Sequence, residues 1–209
     1  MKITKYVHSC LLVETPDRTA VFDPGMLSES SFPVDQLKQL DDIIITHEHG
    51  DHFSPSFVQS LMVKFPGVLI TAPTEVVVAL AKLGISATDT SSPGIEIFDS
   101  PHESVEPMYP QPEEIGVHYM DQLTHPGDSH SFSETKAILA LPMTGPWGTS
   151  VKALRIALEL KPEYIIPIHD WHWRDEARMQ TYDHFEVILK AQGITFLKPE
   201  TGLSLVIDF

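Results

Sequence analysis

The sequence predicts an α/β fold, and three observations lead there. Short apolar runs rich in β-branched residues, such as Ile43-Ile44-Ile45, alternate with amphipathic stretches that read as helices, a strand, helix, strand, helix rhythm. The helical stretches carry their own start and stop signals: Ser54-Pro55 opens one, Thr149 caps another, and Gly84 and Gly193 lie just past two ends. Hydrophobic residues make up 42 % and charged residues 21 % of the 209 positions, an ordinary globular balance with no solenoid-length repeat. A single domain over residues 1–209 is the expectation.

In order, the N-terminal part reads as strands over Ile3 to Val7, Cys10 to Glu14 and Thr19 to Phe22, with Thr15-Pro16-Asp17-Arg18 as a turn. Asp23-Pro24-Gly25 stops the third strand; Asp23 can be read as no more than a turn former. A polar stretch follows, with a short helix at Val34 to Leu40. A strand from Ile43 to Thr46 precedes a helix from Pro55 to Lys64, a strand at Val68 to Thr71 and a helix at Thr74 to Leu83. Ile95 to Phe98, Ile115 to Met120, the Leu123 region and Ala137 to Leu141 read as further strands. Pro101 to Pro112, with four prolines, Met108 and Tyr109, reads as a stiff surface loop. A helix at Ser150 to Leu160, a strand at Tyr164 to Ile168, a helix at Asp175 to Ala191 and strands at Ile194 to Leu197 and Leu203 to Ile207 complete the chain.

Lys and Arg number 14 against 29 Asp and Glu, a formal net charge of −15 that repels phosphate backbones and anionic lipid. The expected partner is a small-molecule substrate, with neither nucleic acid nor membrane. Cys10 is the only cysteine, so no intramolecular disulfide can form, and it reads as a buried inert thiol. The N-terminus lacks an apolar signal core and no window is long and apolar enough to span a bilayer, so the expected location is cytoplasmic.

Chemistry concentrates in Thr46-His47-Glu48-His49-Gly50-Asp51-His52. His47, His49, Asp51 and His52 fall within six residues after a strand-like run. Three imidazoles and a carboxylate packed this tightly are costly unless a cation compensates, and neutral imidazole is the commonest metal ligand. Gly50 is expected to let the backbone turn among them. Further candidates sit where other strands end: His102, Asp128 and His169. Strand ends on one edge of a sheet converge in space. Seven ligands exceed one tetrahedral zinc and suit two metals bridged by a carboxylate.

His47-x-His49-x-Asp51-His52, followed in order by His102, Asp128 and His169, resembles the metallo-β-lactamase superfamily. The likeness is strongest to its compact branch of metal-dependent hydrolases, which includes lactonases acting on ascorbate phosphate and a small uncharacterised hydrolase family. It extends over Asp23-Pro24-Gly25, Pro126-Gly127-Asp128 and Ile166-Pro167-Ile168-His169. The resemblance implies a four-layer αββα sandwich. It also implies that His47, His49 and His102 hold one metal, that Asp51, His52 and His169 hold the second, and that Asp128 bridges them, with Asp51 and Asp128 as the catalytic carboxylates. Glu48 occupies a variable position. His49 stands where the flavodiiron branch has Glu, which disfavours a redox di-iron role. His118 competes with His102, but it lies within a strand whose facing is undetermined.

The resemblance implies two divalent ions, zinc first, with manganese or iron also fitting a mixed His and carboxylate set. Two such ions lower the pKa of a shared water from 15.7 toward about 7, so the expected activity is hydrolysis of a small-molecule ester, lactone or phosphodiester by a dinuclear-metal-bound hydroxide. No Gly-x-Ser-x-Gly elbow offers a serine alternative. A nucleic-acid phosphodiesterase of the same fold, or a noncatalytic metal-binding or sensing protein, are the competing readings. His125, His130 and His172 read as supporting or substrate-facing. His8 is open between a structural and a site role. Trp147, Trp171, Trp173 and Tyr109 are open between pocket and packing, and Arg174 and Lys136 between substrate binding and solvation.

Overall fold

The computed structural model describes residues 1–208, which divide into two compact units, residues 1–90 with 199–208 and residues 91–198. Each unit is a mixed six-stranded sheet with helices. The first unit holds β1 (Lys2–Lys5), β2 (Leu11–Glu14), β3 (Thr19–Phe22), α1 (Met26–Glu29), β4 (Asp42–Ile44), α2 (Pro55–Lys64), β5 (Leu69–Thr71) and α3 (Thr74–Ala81). The second holds β6 (Ile95–Asp99), β7 (Ile115–Tyr119), β8 (Leu123–His125), β9 (Ile138–Pro142), α4 (Ser150–Leu160), β10 (Tyr164–Ile168), α5 (Asp175–Lys190) and β11 (Thr195–Phe196). The last strand, β12 (Ser204–Val206), returns to the first sheet, whose order is β12-β1-β2-β3-β4-β5.

Both sheets change character part-way. In the first, β12, β1, β2 and β3 pair antiparallel, while β3, β4 and β5 pair parallel. In the second, ordered β11-β10-β9-β8-β7-β6, the antiparallel β6, β7 and β8 give way to parallel β8, β9, β10 and β11. Parallel strands deliver their C-terminal ends to one edge, where an open α/β sheet has room for a site. The ends of β3 and β4 share an edge in the first unit. Those of β6, β8, β9 and β10 share one in the second, because two antiparallel steps restore the direction of β6.

The helices are amphipathic because they cover these sheets. In the first unit α2 buries Phe57, Val58 and Leu61 and α3 buries Val76 and Leu80 in a core with Val21, Ile43 and Ile45. In the second, Ala153, Ile156 and Ala157 of α4 and Tyr182, Phe185 and Leu189 of α5 pack with Leu139, Leu141 and Ile165. Each large apolar side chain buried this way contributes roughly 1.5–3 kcal/mol. The expected caps are present: Ser54 Oγ accepts from Phe57 N at 3.4 Å and Thr149 Oγ1 from Lys152 N at 3.3 Å. Gly84 and Gly193, at φ +75 and +77, end α3 and α5 in the left-handed region that costs glycine least.

Three local expectations are corrected. The helix expected over Val34 to Leu40 is one 3₁₀ turn, Val34–Gln36, because Leu37 is already extended (φ −66, ψ 130). A helical turn at Met26–Glu29 was not expected. The strand expected to reach Thr46 ends at Ile44, for a reason that belongs to the site. Among the described residues no helix is long and apolar enough to cross a membrane.

Candidate functional site

In the first unit, Ile45 N still donates to Thr71 O of β5 at 2.9 Å, and the chain leaves the sheet at Thr46, whose polar groups find a side chain instead of a ladder. Thr46 N donates to Asp23 Oδ1 at 2.8 Å and Thr46 Oγ1 donates to Asp23 Oδ2 at 3.0 Å. Asp23, wholly buried, stands at the end of the neighbouring β3 with φ +44, a conformation Asp tolerates better than most residues. The same Oδ2 lies 2.7 Å from His52 Nδ1. A carboxylate only accepts, so His52 carries its proton on Nδ1 and its Nε2 lone pair is directed outward from this anchor. The single hydroxyl proton of Thr46 goes to Asp23, so Thr46 Oγ1 accepts from His47 Nδ1 at 3.1 Å, which sets the same tautomer in His47.

Asp51 is held from the other side by His8, whose Nε2 is 3.0 Å from Asp51 Oδ2. His8 is buried at φ +64, a strained backbone position for histidine. One ligand atom each of His8, Asp51 and His52 lies within 4.8 Å of the others, and so do His47 with His49 and His47 with His52. The structure thus brings His47, His49, Asp51 and His52 together as expected and adds Asp23 and His8 behind them.

The glycine this loop requires is Gly25, in place of the expected Gly50. A Cβ on Gly25 would sit 1.8 Å from the Asp51 carbonyl oxygen, whereas one on Gly50 would meet only the flexible end of Met26 at 3.3 Å. Backbone bonds Met26 N to Gly50 O (2.8 Å) and Ser54 N to Pro24 O (2.9 Å) stitch Asp23-Pro24-Gly25 to the histidine loop. Close backbone approach of this kind admits no side chain.

In the second unit, His102, Asp128 and His169 follow β6, β8 and β10. His169 Nε2 is 2.9 Å, and His102 Nε2 3.7 Å, from Asp128 Oδ2. His102 Nδ1 donates to the Glu103 carbonyl at 2.5 Å, and His169 Nδ1 donates to the Thr144 carbonyl. Carbonyl oxygens only accept, so in their neutral forms both rings present Nε2 lone pairs to a carboxylate oxygen. That juxtaposition is repulsive unless positive charge lies among the three. A divalent cation supplies it, and nitrogen and oxygen are the donors that zinc, manganese and iron accept. The donor set therefore fits a metal.

The surrounding bonds fix these three residues. Asp128 N donates to Glu114 Oε2 at 2.9 Å, and Glu103 N to Asp128 O at 3.1 Å. Gly127, at φ +67, leaves Glu114 the space a Cβ would take. His169 is again at positive φ, +55, and the next residue, buried Asp170, accepts from the Tyr182 hydroxyl of α5. Burial, then the adjacent Asp170, push the Tyr182 phenol well up from its ordinary value. Burial alone would raise the Glu103 carboxyl, but bonds from Lys152, Ser131 and the His130 backbone hold it below the usual carboxylate range.

Other histidines have different employment. His118 binds Thr124 Oγ1 through Nδ1 at 2.8 Å and stacks on Phe98 at 4.3 Å, and burial, then Lys136, lower its pKa. The competition between His102 and His118 for a place beside Asp128 thus goes geometrically to His102. His125 Nδ1 accepts from Gly127 N at 3.3 Å, His130 Nε2 donates to Pro142 O at 2.7 Å, and the His172 ring lies 5.6 Å from His169. Of the three tryptophans, Trp147 reaches the group, donating Nε1–H to Asp128 Oδ2 at 3.1 Å; Trp173 packs on the core and Trp171 is exposed. Lys136 is engaged by Asp121 at 2.7 Å and Glu96 at 3.6 Å. Sequence reasoning took Asp23 for a turn former and left His8 and Trp147 open; the structure sets His8 against Asp51 and Trp147 against Asp128. The available signal for Asp23 was a carboxylate directly after an apolar strand in Asp23-Pro24-Gly25.

Against this geometry, comparison with known proteins is decisive for the family. A model described as the beta-lactamase superfamily domain matches residues 2–169. The chain belongs to the metallo-β-lactamase superfamily. Its relatives include protein Rv0786c of Mycobacterium tuberculosis, 26 % identical over 94 % of this chain and all of that one. A Pyrococcus furiosus protein named a UPF0173 metal-dependent hydrolase is 24 % identical over 98 % of this chain and all of its own length. Among solved structures, Igni18, a metallo hydrolase of the archaeon Ignicoccus hospitalis, shares the fold with a TM-score of 0.72 at 19 % identity, covering 100 % of this chain and 98 % of that one. An isothiocyanate hydrolase from Delia radicum gut bacteria gives 0.70 at 18 % identity, over 99 % of both chains. The two mixed sheets with flanking helices are thus those of the metallo-β-lactamase fold, and the protein is a metal-dependent hydrolase of the compact branch.

Proposed function

We propose that this metallo-β-lactamase protein hydrolyses a small-molecule ester, lactone or phosphodiester at a site holding two divalent metal ions, zinc foremost. Its ligand set is His47, His49, Asp51, His52, His102, Asp128 and His169. The observation that carries the reading is the meeting of two imidazole Nε2 lone pairs with one carboxylate oxygen, at 2.9 Å from His169 and 3.7 Å from His102. When bound, the metals supply Lewis acidity and a water ionisable near neutral pH, which serves several acyl and phosphoryl bonds.

The chain's own residues do the rest. Asp23, Thr46, Glu103 and Thr144 fix the tautomers of His52, His47, His102 and His169, so that each ring offers Nε2 without rearrangement. His8 restrains Asp51 through one oxygen. The excess of 29 acidic over 14 basic residues supports a small, weakly charged substrate over nucleic acid.

The test is elemental analysis of protein purified without added metal, joined to a panel of lactone, phosphodiester and thioester substrates. Asp128→Ala is expected to lower metal content and abolish hydrolysis together. Parent-like activity and metal content in that variant would reject the role given to Asp128.

A further inference from the structure

Trp147 lies in a tight reversal of the chain, Gly145-Pro146-Trp147-Gly148, closed by backbone bonds between Gly145 and Gly148 at 3.2 and 3.3 Å. Both glycines are there for packing. A Cβ on Gly145 would stand 2.6 Å from Cε2 of the indole, so the ring lies back across its own turn; a Cβ on Gly148 would stand 3.2 Å from the His130 ring. Folded this way, the indole makes edge contacts with His169 at 5.0 Å, His130 at 5.4 Å and His102 at 6.1 Å between ring centroids. Its Nε1–H reaches Asp128 Oδ2 at 3.1 Å, the same oxygen that faces both histidines.

We infer that Trp147 is the positioning residue for Asp128: its indole N–H holds one carboxylate oxygen between the His102 and His169 rings, and the Gly145 to Gly148 turn exists to present that N–H. This rests on the proposed metal-binding role of Asp128. A rotating carboxylate would sample arrangements in which the oxygen leaves the two Nε2 atoms, and each such arrangement weakens any cation held among the three. Indole is suited to the task because it donates one hydrogen bond, accepts none and is held in orientation by its own bulk.

The experiment compares the parent, Trp147→Phe and Gly145→Ala by competition of a chelator for Zn²⁺, with thermal unfolding of the metal-free proteins measured alongside. Phe keeps an aromatic ring and removes the N–H; Ala at 145 keeps the N–H and displaces the ring. Both are expected to bind Zn²⁺ about ten- to a hundred-fold more weakly. Trp147→Phe is expected to unfold, metal-free, within about 4 °C of the parent, so that the loss lies in the site and not in the fold. A second readout uses the chain with Trp171→Phe and Trp173→Phe, in which Trp147 is the sole indole: its emission should change on adding Zn²⁺ and saturate with the bound metal. Zn²⁺ affinity in Trp147→Phe within two-fold of the parent overturns the inference alone, and so does an emission that ignores saturating Zn²⁺. A parent that binds no Zn²⁺ overturns the metal reading and this inference with it.

Discussion

His52 Nδ1 and Asp23 Oδ2 stand 2.7 Å apart, both side chains fully buried, although 29 residues separate them in sequence. The bond ties the end of β3 to the loop that follows β4, its parallel neighbour. Because the same carboxylate also takes Thr46 N–H and Oγ1–H, it ends β4 and fixes the histidine loop in one act.

Replacing Asp23 should therefore damage both stability and metal binding. Asp23→Ala strands the Thr46 N–H and the His52 Nδ1–H in the interior, at about 1–3 kcal/mol each. Asp23→Asn keeps the shape but offers only one accepting oxygen, so metal affinity is expected to fall about ten-fold or more with a smaller loss of stability. Denaturant unfolding and chelator competition separate the two effects; parent affinity in Asp23→Asn would refute the orienting role.

The two glycines near the motif should behave oppositely. Gly25→Ala forces a methyl to within 1.8 Å of the Asp51 carbonyl, backbone that cannot give way without moving the loop, and a cost of about 3 kcal/mol or more is expected. Gly50→Ala meets only the mobile end of Met26 and should stay within about 0.5 kcal/mol of the parent. Equal tolerance of both substitutions, measured by denaturant midpoint, would refute the close-approach argument.

Cys10, 1 % exposed, is held protonated because burial pushes its thiol far above the ordinary range. The native protein should resist thiol reagents at neutral pH and react fully once unfolded. A raised folded pKa means that the folded state keeps its proton more tightly. The associated stability is present below the unfolded thiol value of about 8.5 and lost as pH rises beyond it. The buried Tyr182 phenol adds to the loss above about 10. Stability measured across alkaline pH should decline, and Cys10→Ala should remove the earlier part of that decline. Rapid labelling of the native thiol at neutral pH would contradict this account.

Much of the molecule was legible in the chain. Pro55–Lys64 and Ser150–Leu160 have the bounds expected of them, because their Ser54 and Thr149 caps are local chemistry between residues three apart. The Tyr164–Ile168 strand is also as expected, since a short β-branched run ended by a polar cluster carries its own boundaries. The superfamily was readable for a related reason: four candidate ligands lie within six consecutive residues.

Tertiary structure alone decided what supports those ligands. Asp23, His8, Thr144 and Trp147 act on residues between 19 and 43 positions away, through hydrogen bonds with no sequence period. Strand order determines which carbonyl or carboxylate stands beside which imidazole: β3 beside β4 puts Asp23 at His52, and β9 beside β10 puts Thr144 at His169. Residue types and short spacings name the candidate donors because metal chemistry selects atoms. Their tautomers and orientations come from neighbours in space, and pairing of distant strands is settled by the packing of the whole sheet.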